Sequence, residues 1–245
     1  MELSIVLPTH NERDNAPLLM YALKVALKGI KYEIVLVDDG SSDGTAAACQ
    51  ALAQIVDIPL VVLERPDKLG LGNAYKRGVD EAKGAYIAIM DADLSHDPRD
   101  LPKLLSEIKR TKATVCIGSR YCPAGGVANW PLLRRITSRG ANILARIFTG
   151  LSCSDMTNSY RVYRRDFLYH SIRQVGAAGF AYQMEILYRI KGRLVELPVQ
   201  FHDRAAGHSK LAAREYIHFL VRGTSILLGR FSQRLVDWLY DVRLG

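Results

Sequence analysis

The feature that most constrains the fold is an alternation between short, largely apolar runs and longer segments with helical periodicity. The apolar runs are residues 3–7, 33–37, 60–63, 85–90 and 114–118. Runs of this length are typical of strands that are buried on both faces of a parallel sheet, with the intervening helices covering those faces. The alternation therefore predicts an α/β fold with a doubly wound, mostly parallel, Rossmann-like sheet.

Acidic residues follow several of the predicted strands. They are Glu12, Asp38, Asp39, Asp91 and Asp93. Because the carboxyl ends of parallel strands meet at one edge of a sheet, where ligands bind, we expect these side chains to converge. Each acid taken singly is typical of a structural turn. Several clustered carboxylates repel one another unless a cation or ligand neutralises them, so the convergence favours a ligand site.

Asp91 and Asp93 are the candidate metal ligands. Their spacing places both carboxylates on the same side of the chain while the backbone is extended. A hard divalent cation, Mg²⁺ or Mn²⁺, held by a few carboxylates and by substrate phosphates, would relieve their repulsion. Asp97 has a different explanation, because Asp before Pro98 is typical of a helix N-cap followed by proline at the first helical position.

The next predicted strand end is basic, since Arg120 follows residues 114–118. Residues 131–148 then have the period of an amphipathic helix with an arginine-rich face. That face has two open interpretations, a solvated surface and a surface that faces a membrane. Arg134 and Ser138 lie four residues apart on this helix, so the guanidinium and the hydroxyl can converge on one phosphate.

Composition restricts the partners and the compartment. The 245 residues carry a net charge of +8, which indicates anionic partners such as nucleic acid, acidic lipid or phosphorylated substrates. The cysteines lack the paired spacing of zinc sites, and the first residues lack the basic n-region of a signal peptide. No uncharged apolar segment approaches the roughly 20 residues of a membrane span, so we expect that the chain does not cross a bilayer by itself.

A set of motifs along the chain resembles a known family. In order they are V-D-D-G-S-S-D-G-T (37–45), L-G-L-G-N-A-Y (69–75), M-D-A-D-L-S-H-D-P (90–98), G-S-R-Y (118–121), S-R-G-A-N (138–142), D-M-T-N-S-Y-R (155–161) and D-R-A-A-G-H-S-K (203–210). Together they resemble the inverting family 2 glycosyltransferases over nearly the whole chain. The second and fifth motifs are particular to the branch of dolichol-phosphate mannose synthases, to whose catalytic subunits the chain is most similar.

The resemblance implies a GT-A type fold. From the absence of repeats and linkers and from the helical pattern after residue 210, we expect one domain over residues 1–210 and an amphipathic helical extension over residues 211–245. It implies a GDP-mannose donor, a dolichyl-phosphate or other polyprenyl-phosphate acceptor, and Mg²⁺ or Mn²⁺ as the metal. The residues implied to bind the nucleotide sugar are Pro8, Glu12, Asp38 or Asp39, Asp91 and Lys210. The implied catalytic set is Asp91 and Asp93, which would hold the metal and diphosphate, with Arg204 reaching the same group. The residues implied to bind the acceptor phosphate are Arg120, Arg134 and Ser138.

The resemblance also implies a location and a process. We expect peripheral association with the cytosolic face of the endoplasmic reticulum membrane, or with the cytoplasmic membrane surface in a prokaryote, through surface helices or small membrane-anchoring subunits. The product would serve protein glycosylation and GPI anchor biosynthesis. Ser95 stands where some relatives have a glutamine near the metal, so it is not assigned as a ligand.

Two rival functions remain open from the sequence. A UDP-glucose-dependent polyprenyl-phosphate glucosyltransferase would share the acidic motifs. A nucleic-acid or membrane-binding module would explain the basic charge and leave the acids structural. Clustered carboxylates repel a phosphate backbone unless they are metal-bound, so we expect no nucleic-acid partner.

Overall fold

A mostly parallel sheet forms the centre of the structure, which is a computed structural model. The structure describes residues 1–67, 70–176, 179, 181–202 and 213–244; for residues 213, 214 and 233–244 it describes the backbone only. The strands are β1 (Leu3–Thr9), β2 (Tyr32–Asp39), β3 (Leu60–Arg65), β4 (Tyr86–Ile89), β5 (Val115–Ser119), β6 (Gly126–Val127), β7 (Arg161–Arg164), β8 (Leu194–Pro198) and β9 (Gln200–Phe201). Within the described residues the main sheet has the order β3-β2-β1-β4-β7-β5-β8, and β6 pairs with β9 separately. The predicted α/β fold with a mostly parallel sheet is confirmed.

Helices cover both faces of this sheet. They are α1 (Ala16–Ala26), α2 (Thr45–Val56), α3 (Leu71–Glu81), α4 (Leu101–Thr111), α5 (Leu132–Thr149), α6 (Arg165–Arg173), α7 (Tyr182–Tyr188) and α8 (Ala213–Leu244), with a short 3-10 helix, Pro98–Asp100, before α4. Within the described residues, none of these helices combines the length and apolarity that a membrane crossing requires. The predicted division at residue 210 falls outside the described residues and stays a prediction.

Two apolar layers explain why the strands are nearly continuous runs of hydrophobic residues. Along β1, Leu3, Ile5 and Leu7 belong to the core cluster on one face of the sheet, which includes residues of α1, α2 and α4. Val6 belongs to the cluster on the other face, which includes residues of α3, α5, α6 and α7. Since successive side chains alternate between faces, a strand covered on both sides has no face left for solvent, and even the polar Ser4 of β1 is buried.

β7 runs against the direction of its neighbours. It pairs antiparallel with β4 on one side and with β5 on the other, and Arg161 is opposite both Ile89 and Ile117. The first residue of β7 therefore lies at the edge where β4 and β5 end. The predicted strands did not include β7 or its direction.

The ends of β1 and β2 differ from the prediction, in which the strands ended at Leu7 and Val37. Pro8 is paired with Val37 and Thr9 with Asp38, so both strands extend two residues beyond the predicted ends. Pro8 lacks an amide hydrogen. Because the pairing of β1 with β4 ends at Val6, this costs no backbone hydrogen bond between β1 and β4.

Candidate active site

The acidic residues lie at the carboxyl edge of the sheet because β2, β1 and β4 are adjacent and parallel. Asp38 and Asp39 are the last residues of β2, and Asp91 follows the end of β4 by two positions. The convergence predicted from the sequence is therefore a consequence of the strand order.

A cavity of about 530 Å³ opens at this edge, and several of the predicted residues line it. Asp91 contributes a carboxylate, while Arg120, Arg134 and Ser138 contribute basic and hydroxyl groups. Most of the remaining wall is apolar; it includes Trp130, Pro131, Leu133, Ala141, Met156, Met184, Phe201, Tyr216 and Phe219. The structure thus brings the candidate donor-side carboxylate and the candidate acceptor-phosphate residues into one amphipathic chamber.

Two hydroxyl groups hold the Asp91 carboxylate. Ser159 Oγ donates to Asp91 Oδ2 at 2.7 Å, and Tyr75 Oη shares its hydrogen between Asp91 Oδ1 and the Met90 carbonyl, each at 3.3 Å. Burial raises the pKa of the Tyr75 phenol well above its ordinary value, and Tyr182 and Asp91 raise it further, so the phenol keeps its proton and donates. Asp91 therefore stays oriented while part of it faces the cavity.

Asp93 is more deeply placed than Asp91. It is buried, and its Oδ1 accepts hydrogen bonds from the Ser95 amide and hydroxyl at 3.1 and 2.6 Å. Ser95 is thus occupied in supporting Asp93, which agrees with leaving it out of the ligand set. Asp97 separately caps the 3-10 helix by accepting from the Arg99 amide, as predicted.

The donor set fits a hard divalent cation. Asp91 and Asp93 provide carboxylate oxygens, the ligand type that Mg²⁺ and Mn²⁺ prefer. No group of three or more His, Cys, Asp or Glu suited to a metal occurs within the residues that the structure describes. A cation at Asp91 and Asp93 would therefore complete its coordination with phosphate and water oxygens.

Arg120 forms a buried, bidentate ion pair with Asp155. Arg120 Nε and Nη2 donate to the two carboxylate oxygens at 2.7 and 2.8 Å, and Nη2 also donates to Thr157 Oγ1 at 2.8 Å. The two side chains are 6% and 0% exposed. Burial raises the pKa of Asp155, but the charge and hydrogen bonds of Arg120 outweigh it and hold that pKa below its ordinary value. Arg120 thus presents to the cavity a guanidinium whose position is already fixed.

Arg134 and Ser138 lie on the cavity side of α5, whereas Arg135 and Arg139 are exposed. The Arg134 guanidinium lies 4.0 Å from the centre of the Trp130 ring, a cation–π contact. Ser138 Oγ accepts a hydrogen bond from Tyr121 Oη at 2.7 Å. The structure therefore separates Arg134 from the solvated arginines of the same helix.

The predicted nucleotide-binding residues lie along the β1 and β2 ends. Both oxygens of Asp38 already accept hydrogen bonds, from Thr9 Oγ1 and from the amide and hydroxyl of Ser41. Among the contacts of the described residues, the Asp39 side chain accepts from Arg65, and it does so through Oδ1. Burial raises the pKa of Asp39, with Asp38 adding to the effect and Arg65 opposing it. Of the two, Asp39 retains more capacity to accept from a ligand.

Glu12 and Pro8 flank this same edge. The Glu12 amide donates to Thr45 Oγ1 at 3.0 Å, and its Oε2 accepts from Asn15 Nδ2 at 2.8 Å. The predicted contacts of Arg204 and Lys210 lie outside the described residues, so their roles stay predictions.

Several residues that support the site had no predicted role. Tyr75, Asp155, Thr157 and Ser159 all belong to recognised motifs, but their partners lie between 16 and 68 positions away. For three of them the available signal was the run of polar residues at 154–159, directly before β7.

Comparisons with known proteins agree with this architecture. The model of glycosyl transferase family 2 matches residues 4–171. The chain is 36% identical over 241 residues to a dolichol-phosphate mannosyltransferase of Pyrococcus furiosus, covering 97% of this chain and 64% of that protein. It is 37% identical over 215 residues to the polyprenol monophosphomannose synthase of Mycolicibacterium smegmatis, covering 85% of this chain and 80% of that protein.

Solved structures share the fold at lower identity. The glucosyl-3-phosphoglycerate synthase of Mycobacterium tuberculosis, in complex with Mn²⁺, UDP and phosphoglyceric acid, superposes with a TM-score of 0.67 at 19% identity. The match covers 94% of this chain and 78% of that one, which confirms the expected GT-A type fold. With a family model matched over most of its length, the chain belongs to glycosyltransferase family 2.

Proposed function

We propose that this protein transfers mannose from GDP-mannose to dolichyl phosphate or a related polyprenyl phosphate, at the cytosolic face of the endoplasmic reticulum membrane or at a prokaryotic cytoplasmic membrane. The relatives named above are described as mannosyltransferases or mannose synthases that act with dolichol phosphate or polyprenol. The observation that carries the proposal is one cavity that is lined by Asp91, by Arg120, Arg134 and Ser138, and by a wall that is mostly apolar.

The cavity matches the chemistry of a lipid phosphate. An acceptor of this class joins a phosphate to a hydrocarbon chain, so its site needs cations beside an apolar wall. Arg134 supplies a guanidinium group, a planar fork suited to phosphate oxygens. Arg120 uses Nε and Nη2 to bind Asp155 and Thr157, so it would meet the phosphate through Nη1. Phe219 and Tyr216 of α8 complete the wall opposite α5. The hydrocarbon would leave the cavity between these two helices.

The nucleophile of this reaction needs no general base from the protein. A phosphate monoester has a second pKa near 6, so at neutral pH it is largely dianionic. The chain's task is to align this anion with the sugar carbon and to offset repulsion between two anionic substrates. Arg120 and Arg134 would hold the acceptor phosphate, and Asp91 would mark the donor end of the same cavity.

The departing diphosphate needs positive charge. A cation held by Asp91 and Asp93 would stabilise the charge that develops on the leaving group. Arg204 and Lys210, which are proposed to reach the donor phosphates, would add to this charge. Ser159 and Tyr75 keep the Asp91 carboxylate directed for that task.

Exposed apolar side chains support the membrane part of the proposal. On α5 they are Leu132, Leu133, Ile136, Ile143 and Ile147; on α8 they are Ile217, Leu220, Val221, Leu228 and Phe231. The two helices are held together by Arg230 of α8, whose Nη1 donates to the carbonyls of Ile147 and Phe148 at 3.0 Å. A joined apolar surface with adjacent arginines is suited to a membrane interface with anionic lipid. A small membrane-anchoring subunit would use the same surface.

The decisive experiment is a transfer assay. The protein is incubated with Mn²⁺ or Mg²⁺, labelled GDP-mannose and dolichyl phosphate, and label is followed into the organic phase. UDP-glucose in place of GDP-mannose tests the glucosyltransferase alternative directly. Label transfer from UDP-glucose alone would replace the proposed donor, and no transfer from either would refute the proposed reaction.

Variants of the acidic motif test the assigned roles. Asp91→Ala should lower turnover at least about 100-fold, the scale for loss of a major electrostatic group. Asp97→Ala is the matched control, because its carboxylate caps a helix and its loss should cost about 1 kcal/mol of stability with turnover retained. Equal turnover in the two variants would contradict the assignment of Asp91.

Vesicle cosedimentation tests the membrane part. Binding should weaken with salt and strengthen with anionic lipid. The double variant Leu132→Glu, Ile136→Glu should lose binding, whereas Ile55→Glu should not, since Ile55 is 80% exposed but lies on α2. Equal losses in both variants, or no binding of the wild type to any vesicle, would move the anchoring role to a partner subunit.

A further inference from the structure

The segment 155–161 carries a motif of which the reaction described above uses only Ser159, as a hydrogen-bond donor to Asp91. It enters the edge of the sheet between β4 and β5, because β7 runs antiparallel to both. Asp91 follows β4, and Arg120 follows β5. The segment is thus the piece of chain that lies between the donor side and the acceptor side of the cavity.

Each end of this segment holds one of the two functional side chains. Toward the donor side, Ser159 Oγ donates to Asp91 Oδ2 at 2.7 Å. Toward the acceptor side, Asp155 and Thr157 accept from the Arg120 guanidinium at 2.7 to 2.8 Å. A shift of the segment would therefore change the position of Asp91 and Arg120 together.

Arg161 fixes the segment from beneath. Its Nε donates to the Asn158 carbonyl and its Nη2 to the Met156 carbonyl, both at 2.7 Å. Three further bonds of 3.1 to 3.3 Å reach Tyr163 Oη and the carbonyl and side-chain oxygen of Gln183. These contacts employ the five N–H donors that a guanidinium possesses.

The burial of Arg161 makes this arrangement costly, which points to a role beyond stability. The residue is 1% exposed and forms no ion pair with a carboxylate within the described part of the chain. A buried charge costs free energy unless its hydrogen bonds are complete, and an apolar residue of similar volume is often no less stabilising. An apolar residue could not donate hydrogen bonds to the Met156 and Asn158 carbonyls, as Arg161 does.

We propose that Arg161 is a positioning residue that locks the segment 155–159, and that this segment couples the placement of Asp91 to that of Arg120. The proposal rests on the proposed function in one respect: it takes Asp91 as a donor-side group and Arg120 as an acceptor-side group. Donor and acceptor phosphates would then be aligned by one rigid element.

The central variant is Arg161→Lys, which keeps the charge but cannot span both carbonyls and Gln183. Its control is Arg164→Lys, an exposed arginine on the same strand, paired with Asp166. We expect Arg161→Lys to raise both the KM for dolichyl phosphate and the Kd for GDP with Mn²⁺ by about tenfold, the scale of one or two lost buried hydrogen bonds. Arg164→Lys should change neither by more than about twofold. Each variant is assayed the same number of degrees below its own Tm, so that differences in stability do not affect the compared KM and Kd values.

A second readout needs no substrate. The amides of Arg120 and Asn158 both donate to Asp155, so their hydrogen exchange reports how firmly the segment is held. Arg161→Lys should speed exchange at both amides by at least about tenfold, and Arg164→Lys should leave them unchanged. If the wild type transfers no mannose, the proposed function fails, and this exchange measurement still decides the coupling.

Two milder variants test the ends should Arg161→Lys fail to fold. Ser159→Ala should raise the Kd for GDP with Mn²⁺ and leave the KM for dolichyl phosphate unchanged, whereas Thr157→Val should do the reverse. The proposal would be overturned if Ser159→Ala and Thr157→Val both had the KM and Kd values of the wild type. It would also be overturned if Arg161→Lys and Arg164→Lys had the same KM, Kd and amide exchange rates. An effect of Arg161→Lys on one substrate alone would overturn the coupling.

Discussion

The buried pair between Arg120 and Asp155 gives the sharpest stability prediction. In Asp155→Asn the shape of the side chain is kept and the charge is removed. Arg120, of which 6% of the side chain is exposed, then loses its counter-ion and faces an amide that competes as a donor. Breaking a buried pair by removing one partner costs about 3 to 5 kcal/mol, so we expect a loss of that size in the free energy of unfolding.

The assay is urea unfolding at pH 7, with Asp166→Asn as the control. The Arg164 and Asp166 side chains are 50% and 60% exposed, so loss of that pair should cost at most about 1 kcal/mol. A cost for Asp155→Asn that is no larger than for Asp166→Asn would refute the argument that burial makes this pair different.

The pH dependence supplies an independent check. The pKa of Asp155 is lowered in the folded protein, so its contribution to stability is fully present above the unfolded pKa of about 3.9 and is lost as the pH falls through the folded value. The stability difference between wild type and Asp155→Asn should therefore be constant near neutral pH and shrink below about pH 4. A difference that grows as the pH falls would have the wrong sign for this mechanism.

The remaining predictions concern the acceptor side. Arg134→Lys should raise the KM for dolichyl phosphate at least about tenfold, because Arg134 lines the cavity and a lysine lacks the planar fork of a guanidinium. Arg135 is exposed, so Arg135→Lys should have little effect on this KM. Equal KM values for the two variants would mean that Arg134 belongs to the solvated face of the helix. Gly223→Val should also raise this KM with GDP affinity unchanged, because a Cβ there would overlap the Phe148 ring and displace α8 from α5. Gly229→Ala is its control, since a Cβ there meets nothing, and identical kinetics of the two variants would show that α8 does not shape the site.

The parts of the fold that follow from local physics were predictable from the sequence. Leu3, Ile5 and Val6 are buried on opposite faces of one strand, so their run of apolar residues indicated a strand covered on both sides. The Asp97 cap was also predictable, because its partner, the Arg99 amide, lies two residues away. The convergence of acids followed from parallel strand order, which a strand–helix alternation implies.

The rest depended on contacts that leave no local trace. β7 is four residues long and has arginine at both ends, so its sequence gives no indication of its direction or of its central place. Arg161 would be expected on a surface, and only the folded chain brings the Met156 and Asn158 carbonyls to it. Asp155 meets Arg120 across 35 positions, a pairing that neither residue's neighbours predict.

The antiparallel insertion of β7 also explains how one cavity keeps opposite charges available to substrates. If β4 and β5 were direct neighbours, their ends would lie about 4.8 Å apart, and Asp91 and Arg120 would be close enough to neutralise each other. With β7 between them, the two strands are roughly 10 Å apart, and each side chain takes its own partner from the segment that enters β7. Asp91 is held by the hydroxyls of Ser159 and Tyr75, which are neutral donors, so these contacts leave a cation as the partner for its carboxylate. Arg120 is held by Asp155, which fixes its position, and Arg134 would supply additional positive charge for the proposed acceptor phosphate.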